Sequence, residues 1–141
     1  MSGEQILLLH SRADRALRSL LENRLEKSGV TIMEWLVLSI ISRSPKTGLS
    51  MSELAATLGV TLPQVTALMT GVVKKKYVRL KTQPRDRRSR HALLTSKGAS
   101  VAENAKADID AVLKDTLSEI TADQEKAYLT VLEQIARHNI A

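Results

Sequence analysis

The stretch Ser50–Lys76, SMSELAATLGVTLPQVTALMTGVVKKK, carries two helix starts close together. Ser50 precedes Glu53, and Thr61 precedes Gln64, at the spacing of a capping box. There an N-cap hydroxyl accepts from the N3 amide while the N3 side chain reaches back to the N-cap N–H. Gly59, between the two, supplies the positive φ of a tight turn. With Met51 as the first helical position, Ala55 falls where two helices must approach and Val65 packs the second helix onto the first. Leu54, Leu58, Val60, Leu68 and Val72 complete the shared core. The pattern predicts a helix over 51–58, a break at Gly59 and a helix from Thr61 to about Lys75, which is helix-turn-helix spacing. A purely structural αα-hairpin shares this pattern, and the flanking charge weighs between the two.

Outward from this pair, two further capping boxes are present, Thr31 with Glu34 and Thr121 with Gln124. Residues 4–28 read as an amphipathic helix with Leu9, Ala13, Leu17, Leu20, Leu21 and Leu25 at helical spacing, ended by Gly29. The helix opened by Thr31 is apolar almost all round through Trp35, Leu36, Leu38, Ile40 and Ile41, and so belongs in the centre of the core. A loop follows over 43–49. After Lys76 the period becomes extended: Tyr77, Val78 and Leu80 precede an arginine run, and His91, Ala92, Leu93 and Leu94 follow it. This predicts a β-hairpin with a long basic tip over 83–89. Thr95 caps a helix to about Ile120, and the Thr121 box opens a last one to about His138. The fold class is therefore mainly α, an α+β winged helix-turn-helix of six helices with a β-hairpin wing. The end helices, 1–30 and 99–141, carry apolar faces that the lobe 31–98 cannot cover, which implies burial against a second copy.

The chain has 141 residues, 43% of them hydrophobic and 26% charged, the size and composition of one globular domain. Absence of cysteine excludes disulfides, thiolate metal sites and thiol redox sensing. No apolar run approaches the roughly 18 residues of a membrane-spanning helix, and the N-terminus lacks the basic region of a secretory signal, so a cytoplasmic location is expected. Net charge is +6, unevenly spread: Lys74 to Lys97 holds ten Lys and Arg against one acid, Asp86, while the rest of the chain is slightly acidic. A basic segment on such a body is the footprint of a polyanion binder. His10, His91 and His138 are scattered without ligand partners, so no metal site is expected, and neither is a cofactor. Phosphate-loop, Gly-x-Ser-x-Gly and paired-carboxylate patterns are missing, and no enzymatic activity is expected.

The wing segment DRRSRHALLTSKG, Asp86 to Gly98, together with SELAATLGVTLPQVTALM, closely resembles the MarR family of bacterial winged-helix transcription regulators. The likeness spans essentially the whole chain. It implies a homodimer that binds a pseudo-palindromic DNA operator as a repressor. It also implies release of DNA by a small, often aromatic and anionic, effector held between the dimerisation helices and the DNA-binding lobe. In the family the wing aspartate pairs with an arginine that enters the minor groove, a role that falls on Asp86 and Arg88. An orienting carboxylate reduces the rotamer entropy, about 2 kcal/mol, that a free arginine side chain stands to lose. Arg85, Arg87 and Arg90 are read as phosphate contacts or solubility charges.

The second helix of the pair is expected in the major groove with Thr61, Pro63, Gln64, Thr66, Ala67 and Thr70 nearest the bases and Lys74 and Lys75 on the backbone. Gln64 suits adenine bidentately but is equally the back half of the Thr61 box, and the two roles compete for one amide. Where many family members are basic in mid-helix this chain has Ala67 and Gly71, and Lys76 replaces the usual glycine before the wing. Met33 and Trp35 fall where family effectors bind, with His10 or Arg15 as partners for a carboxylate, although a lone Trp in an apolar helix is more often core. An architectural protein using the winged helix for phosphate alone is the alternative reading, and a membrane-surface or acidic-protein binder is the third.

Overall fold

A computed structural model describes residues 1–44, 46–83 and 86–139, with the side chains of 83–89 outside the description. The elements are α1 (Gly3–Leu25), a 3-10 turn (Glu26–Ser28), α2 (Ile32–Ser42), β1 (Leu49–Ser50), α3 (Met51–Leu58), α4 (Leu62–Lys74), β2 (Val78–Gln83), β3 (Asp86–Leu94), α5 (Ser96–Thr116) and α6 (Ala122–Ala136). All four capping boxes form, at Thr31, Ser50, Thr61 and Thr121, with both reciprocal hydrogen bonds in each. Each is worth about 1 kcal/mol to its helix, so four of the six helix starts are locally encoded. Gly59, at φ 68°, ends α3, and the axes of α3 and α4 lie 108° apart, within the helix-turn-helix range.

The core is the shared interior of this pair and α2. Val37, Leu38, Leu54, Val65 and Val72 are fully enclosed, joined by Met69, Val78 and Ala92. On α5, Ala102, Ala105 and Ile109 close one side, and on α1 only Leu21 and Leu25 are buried. Arg24 Nε and Ser28 Oγ bond the two carboxylate oxygens of Asp108 at 3.1 and 2.9 Å, pinning the end of α1 to α5. The Asp108 carboxyl is held below the usual carboxylate range, chiefly by the Arg24 hydrogen bond. No residue of α6 is buried. Among the described residues no single helix is long and apolar enough to cross a membrane.

The sheet has order β1-β3-β2, all antiparallel. Two features depart from the sequence reading. Leu49 and Ser50 pair with Ala92 and His91 as a two-residue strand, too short to show any periodicity. The hairpin strands also extend into the basic run: β2 reaches Gln83 and β3 begins at Asp86, with a register shift between Thr82 and Gln83. Residues polar on both faces give no alternation from which a strand is read, so the sequence pattern assigns 83–89 to the hairpin tip. Helix ends differ by small margins: α5 stops at Thr116 and α6 at Ala136, and the last turn before Gly29 tightens to 3-10.

Lys76 has φ 65°, the one described non-glycine residue in the left-handed region. It is held there by Tyr77 N–H donating to the Val72 carbonyl at 3.0 Å and by Thr95 Oγ1 donating to its own carbonyl at 2.7 Å. The left-handed conformation costs a residue with a Cβ about 1–2 kcal/mol, partly offset because glycine is freer when unfolded. Lys76→Gly is expected to raise stability by about 0.5–1 kcal/mol, read as a higher denaturant midpoint at unchanged slope.

Candidate nucleic-acid interface

The outward face of α4 is built by subtraction. Val65, Met69 and Val72 face the core, leaving Pro63, Gln64, Thr66, Ala67, Thr70 and Lys74 exposed along one side, with Thr61 at the N-cap. Pro63 lies in the first turn, where its missing N–H costs nothing. The structure brings these residues together on the exposed face of one helix, as a helix that enters a major groove requires.

Their polar groups are partly committed. Gln64 Oε1 accepts from Thr61 N at 2.8 Å and lies 3.1 Å from Thr61 Oγ1, so the capping role is formed and the amide NH2 is the group left pointing outward to donate. Bidentate adenine contact needs both ends of that amide, so it requires breaking the box. The hydroxyls of Thr66 and Thr70 donate to the carbonyls of Leu62 and Thr66, leaving their oxygens as acceptors and their methyls as apolar contacts. The face therefore offers few donors to base edges.

The lysine run divides. All three lysines are exposed, but the Lys75 ammonium also lies 2.8 Å from Glu34 Oε1 and 3.3 Å from the Gly29 carbonyl. On the wing, Arg90 is exposed opposite Thr82. The backbones of Asp86, Arg87 and Arg88 run in β3, but their side chains, and with them the Asp86–Arg88 pair, lie outside the described residues, as does Arg85 altogether.

The four effector candidates are not brought together. His10 and Arg15 are exposed on α1, Arg15 bonding Ser11 Oγ at 2.6 Å, and Met33 is half-buried at the start of α2. Trp35 donates from Nε1 to the Ala102 carbonyl at 3.0 Å and lines a cavity of about 170 Å³ between α2 and α5, with Ser39, Ser42, Leu94, Glu103 and Lys106. None of the other three reaches that cavity. Glu34, Tyr77, Gly98 and Asn139 escaped the sequence reading as site-shaping residues. Glu34 was legible only as a cap, and Asn139 Nδ2 donates to the Gly59 carbonyl, 2.8 Å away in the helix-turn-helix turn, across a separation that no local pattern signals.

Comparison with known proteins agrees with the fold. Residues 28–89 match the profile of the MarR family. The chain is 29% identical over 124 residues to the HTH-type transcriptional repressor Rv2887 of Mycobacterium tuberculosis, covering 88% of each. Among solved structures it is similar to the transcriptional repressor CouR bound to a 23-mer DNA duplex (28% identity, TM-score 0.82, 95% of this chain and 96% of that one). It also superposes on CouR from Rhodococcus jostii RHA1 bound to p-coumaroyl-CoA (23% identity, TM-score 0.85, 96% and 94%).

Proposed function

We propose that the chain, which matches the MarR family profile over residues 28–89 and is similar to transcriptional repressors over most of its length, acts as a homodimeric, sequence-specific repressor. Residues 1–30 and 99–141 form the dimerisation region, and 31–98 form the lobe that reads a pseudo-palindromic operator. The observation that carries the DNA-binding half is the exposed face of α4 set beside a wing strand rich in arginine, on a chain whose basic charge is concentrated there. Among the described residues, twelve of the fourteen large apolar side chains left exposed lie in the two end regions, which supports dimerisation through them.

With few donors on α4, specificity is shared with the wing. Arg88 enters the minor groove, where narrow A·T-rich stretches focus negative potential, and Asp86 orients it. Relief by a small aromatic anion completes the proposal. It rests on Trp35 and the cavity beside it, with Lys106 on the wall, and on the acyl-CoA-bound CouR structure.

Selection of bound duplexes from random DNA tests the reading. The preferred duplex should be a pseudo-palindrome bound at least about 10³-fold more tightly than random DNA. Arg88→Ala should weaken that binding by about 1–3 kcal/mol, and Asp86→Ala should weaken it too, although it raises the positive charge. Tighter binding by Asp86→Ala would remove the orienting role, and a specificity ratio near one would make the protein an architectural binder.

A further inference from the structure

Glu34 is the one charged residue in the buried set among the described residues, with 7% of its surface exposed. Its Oε1 accepts from Thr31 N at 2.9 Å, closing the α2 capping box, and from Lys75 Nζ at 2.8 Å. A Cβ on Gly71 would come within 3.2 Å of the other carboxylate oxygen, a contact tight enough to displace that oxygen by a few tenths of an ångström. Lys75 Nζ also donates to the Gly29 carbonyl at 3.3 Å, and the Tyr77 hydroxyl donates to the same oxygen at 2.9 Å. Three side chains thus tie together the end of the N-terminal helical segment at Gly29, the start of α2, the C-terminus of α4 and the base of the wing.

A buried carboxylate is tolerated only when paired and hydrogen-bonded, and an apolar pair of similar volume would serve bulk stability as well. What the ion pair adds is direction. The pair ties the α4 C-terminus to the start of α2, and the shared Gly29 carbonyl refers that seating to the end of the N-terminal helical segment. Lys75 is exposed like Lys74 and Lys76, with 41% of its side chain accessible, yet its ammonium is paired with the buried Glu34 carboxylate.

We propose that Glu34 and Lys75 are positioning residues for DNA recognition: their ion pair locks the recognition helix to the end of α1, fixing the distance between the two reading heads of the dimer, and Lys75 does not contact phosphate. This rests on the DNA-binding reading above. The inter-element half is also measurable without DNA. The chain has no cysteine, so cysteines introduced at exposed Glu22 on α1 and Thr70 on α4 accept spin labels without background. Doubly labelled chains diluted into unlabelled protein report the α1–α4 distance within one subunit.

The informative variant is the double Glu34→Gln, Lys75→Met, which retains a capping acceptor for Thr31 and leaves no unpaired buried charge. Lys75→Met alone, which strands the carboxylate, is compared with it, and Lys75→Arg is the conservative rescue. The expected result is a single narrow distance distribution in the wild type, broadened in the double variant at temperatures well below its melting point and narrowed again in Lys75→Arg. On duplexes selected with wild-type protein, the preference for the native half-site spacing over spacings one base pair longer or shorter should fall several-fold in the double variant. The salt dependence of binding should keep its slope. An unchanged distribution with unchanged spacing preference overturns the proposal. So does a slope reduced by about 0.9 per subunit, the signature of a lost phosphate contact. If the wild type selects no duplex at all, the functional reading fails while the label distances still decide whether the strut exists.

Discussion

Gly98→Ala is expected to destabilise the fold by about 3 kcal/mol or more, because of all the glycines in the chain this is where an added Cβ meets the closest backbone. Gly98 sits in the first turn of α5 and is buried against the backbone of Tyr77. A Cβ there would overlap the Tyr77 carbonyl and lie 3.0 Å from its Cα. Neither side yields easily. Tyr77 N–H is bonded to the Val72 carbonyl, its own carbonyl accepts from Thr95 N at 3.0 Å, and its hydroxyl is bonded to Gly29. Gly98 N–H in turn donates to Thr95 Oγ1 as the cap of α5. Relief of the overlap therefore breaks a cap, worth about 1 kcal/mol, on top of the 1–3 kcal/mol typical of overpacking. Against a total of roughly 5–15 kcal/mol this is a large share. Equilibrium denaturation measures it, with Gly3→Ala as control, since a Cβ at Gly3 meets nothing within 4 Å. A Gly98→Ala variant within about 1 kcal/mol of wild type would mean that the α5–wing joint gives way more readily than its hydrogen bonds imply.

The same joint shows which parts of the molecule the sequence makes readable. Thr31, Ser50, Thr61 and Thr121 announce their helices because capping chemistry is local, and each box forms with both of its bonds. Gly59 was readable for the same reason. Lys76 stood out only as a departure from the glycine of the family pattern, and its φ of 65° shows why that pattern favours glycine. Gly98, by contrast, is constrained by a residue distant in sequence, and nothing near it signals the contact.

The interface divides along the same line. Periodicity alone separates the outward side of α4 from its core side, so the exposure of Gln64, Thr66 and Thr70 was foreseeable. The pairing of Lys75 with Glu34 was not. A basic run beside a recognition helix reads as three equal phosphate contacts until Glu34, on another helix, is placed within 2.8 Å of one of them. Composition reports how much charge a segment carries, but only tertiary placement shows how much of it is already paired.

Replacing both Leu129 and Ile135 on α6 by glutamate is expected to leave the chain monomeric and to weaken operator binding by about 10³-fold or more. Both side chains are 51% exposed, and they share the helix with exposed Tyr128 and Val131. Burying a Leu or Ile contributes about 1.5–3 kcal/mol, so two glutamates there remove several kcal/mol and set like charges against their symmetry mates. Because α6 buries nothing within its own chain, the helix-turn-helix core should keep its fold. The loss on DNA follows from geometry: a dimer binds its second half-site intramolecularly, a gain of 10²–10⁴ in affinity that a monomer forfeits. Added negative charge weakens DNA binding by itself, so the matching double glutamine variant separates the causes. It should also sediment as a monomer and bind DNA nearly as weakly. If both variants sediment as dimers, the subunits meet elsewhere, and the exposed face of α6 answers to some other partner. If both are monomers that hold the full pseudo-palindrome as tightly as the wild type, the two half-sites are not read together.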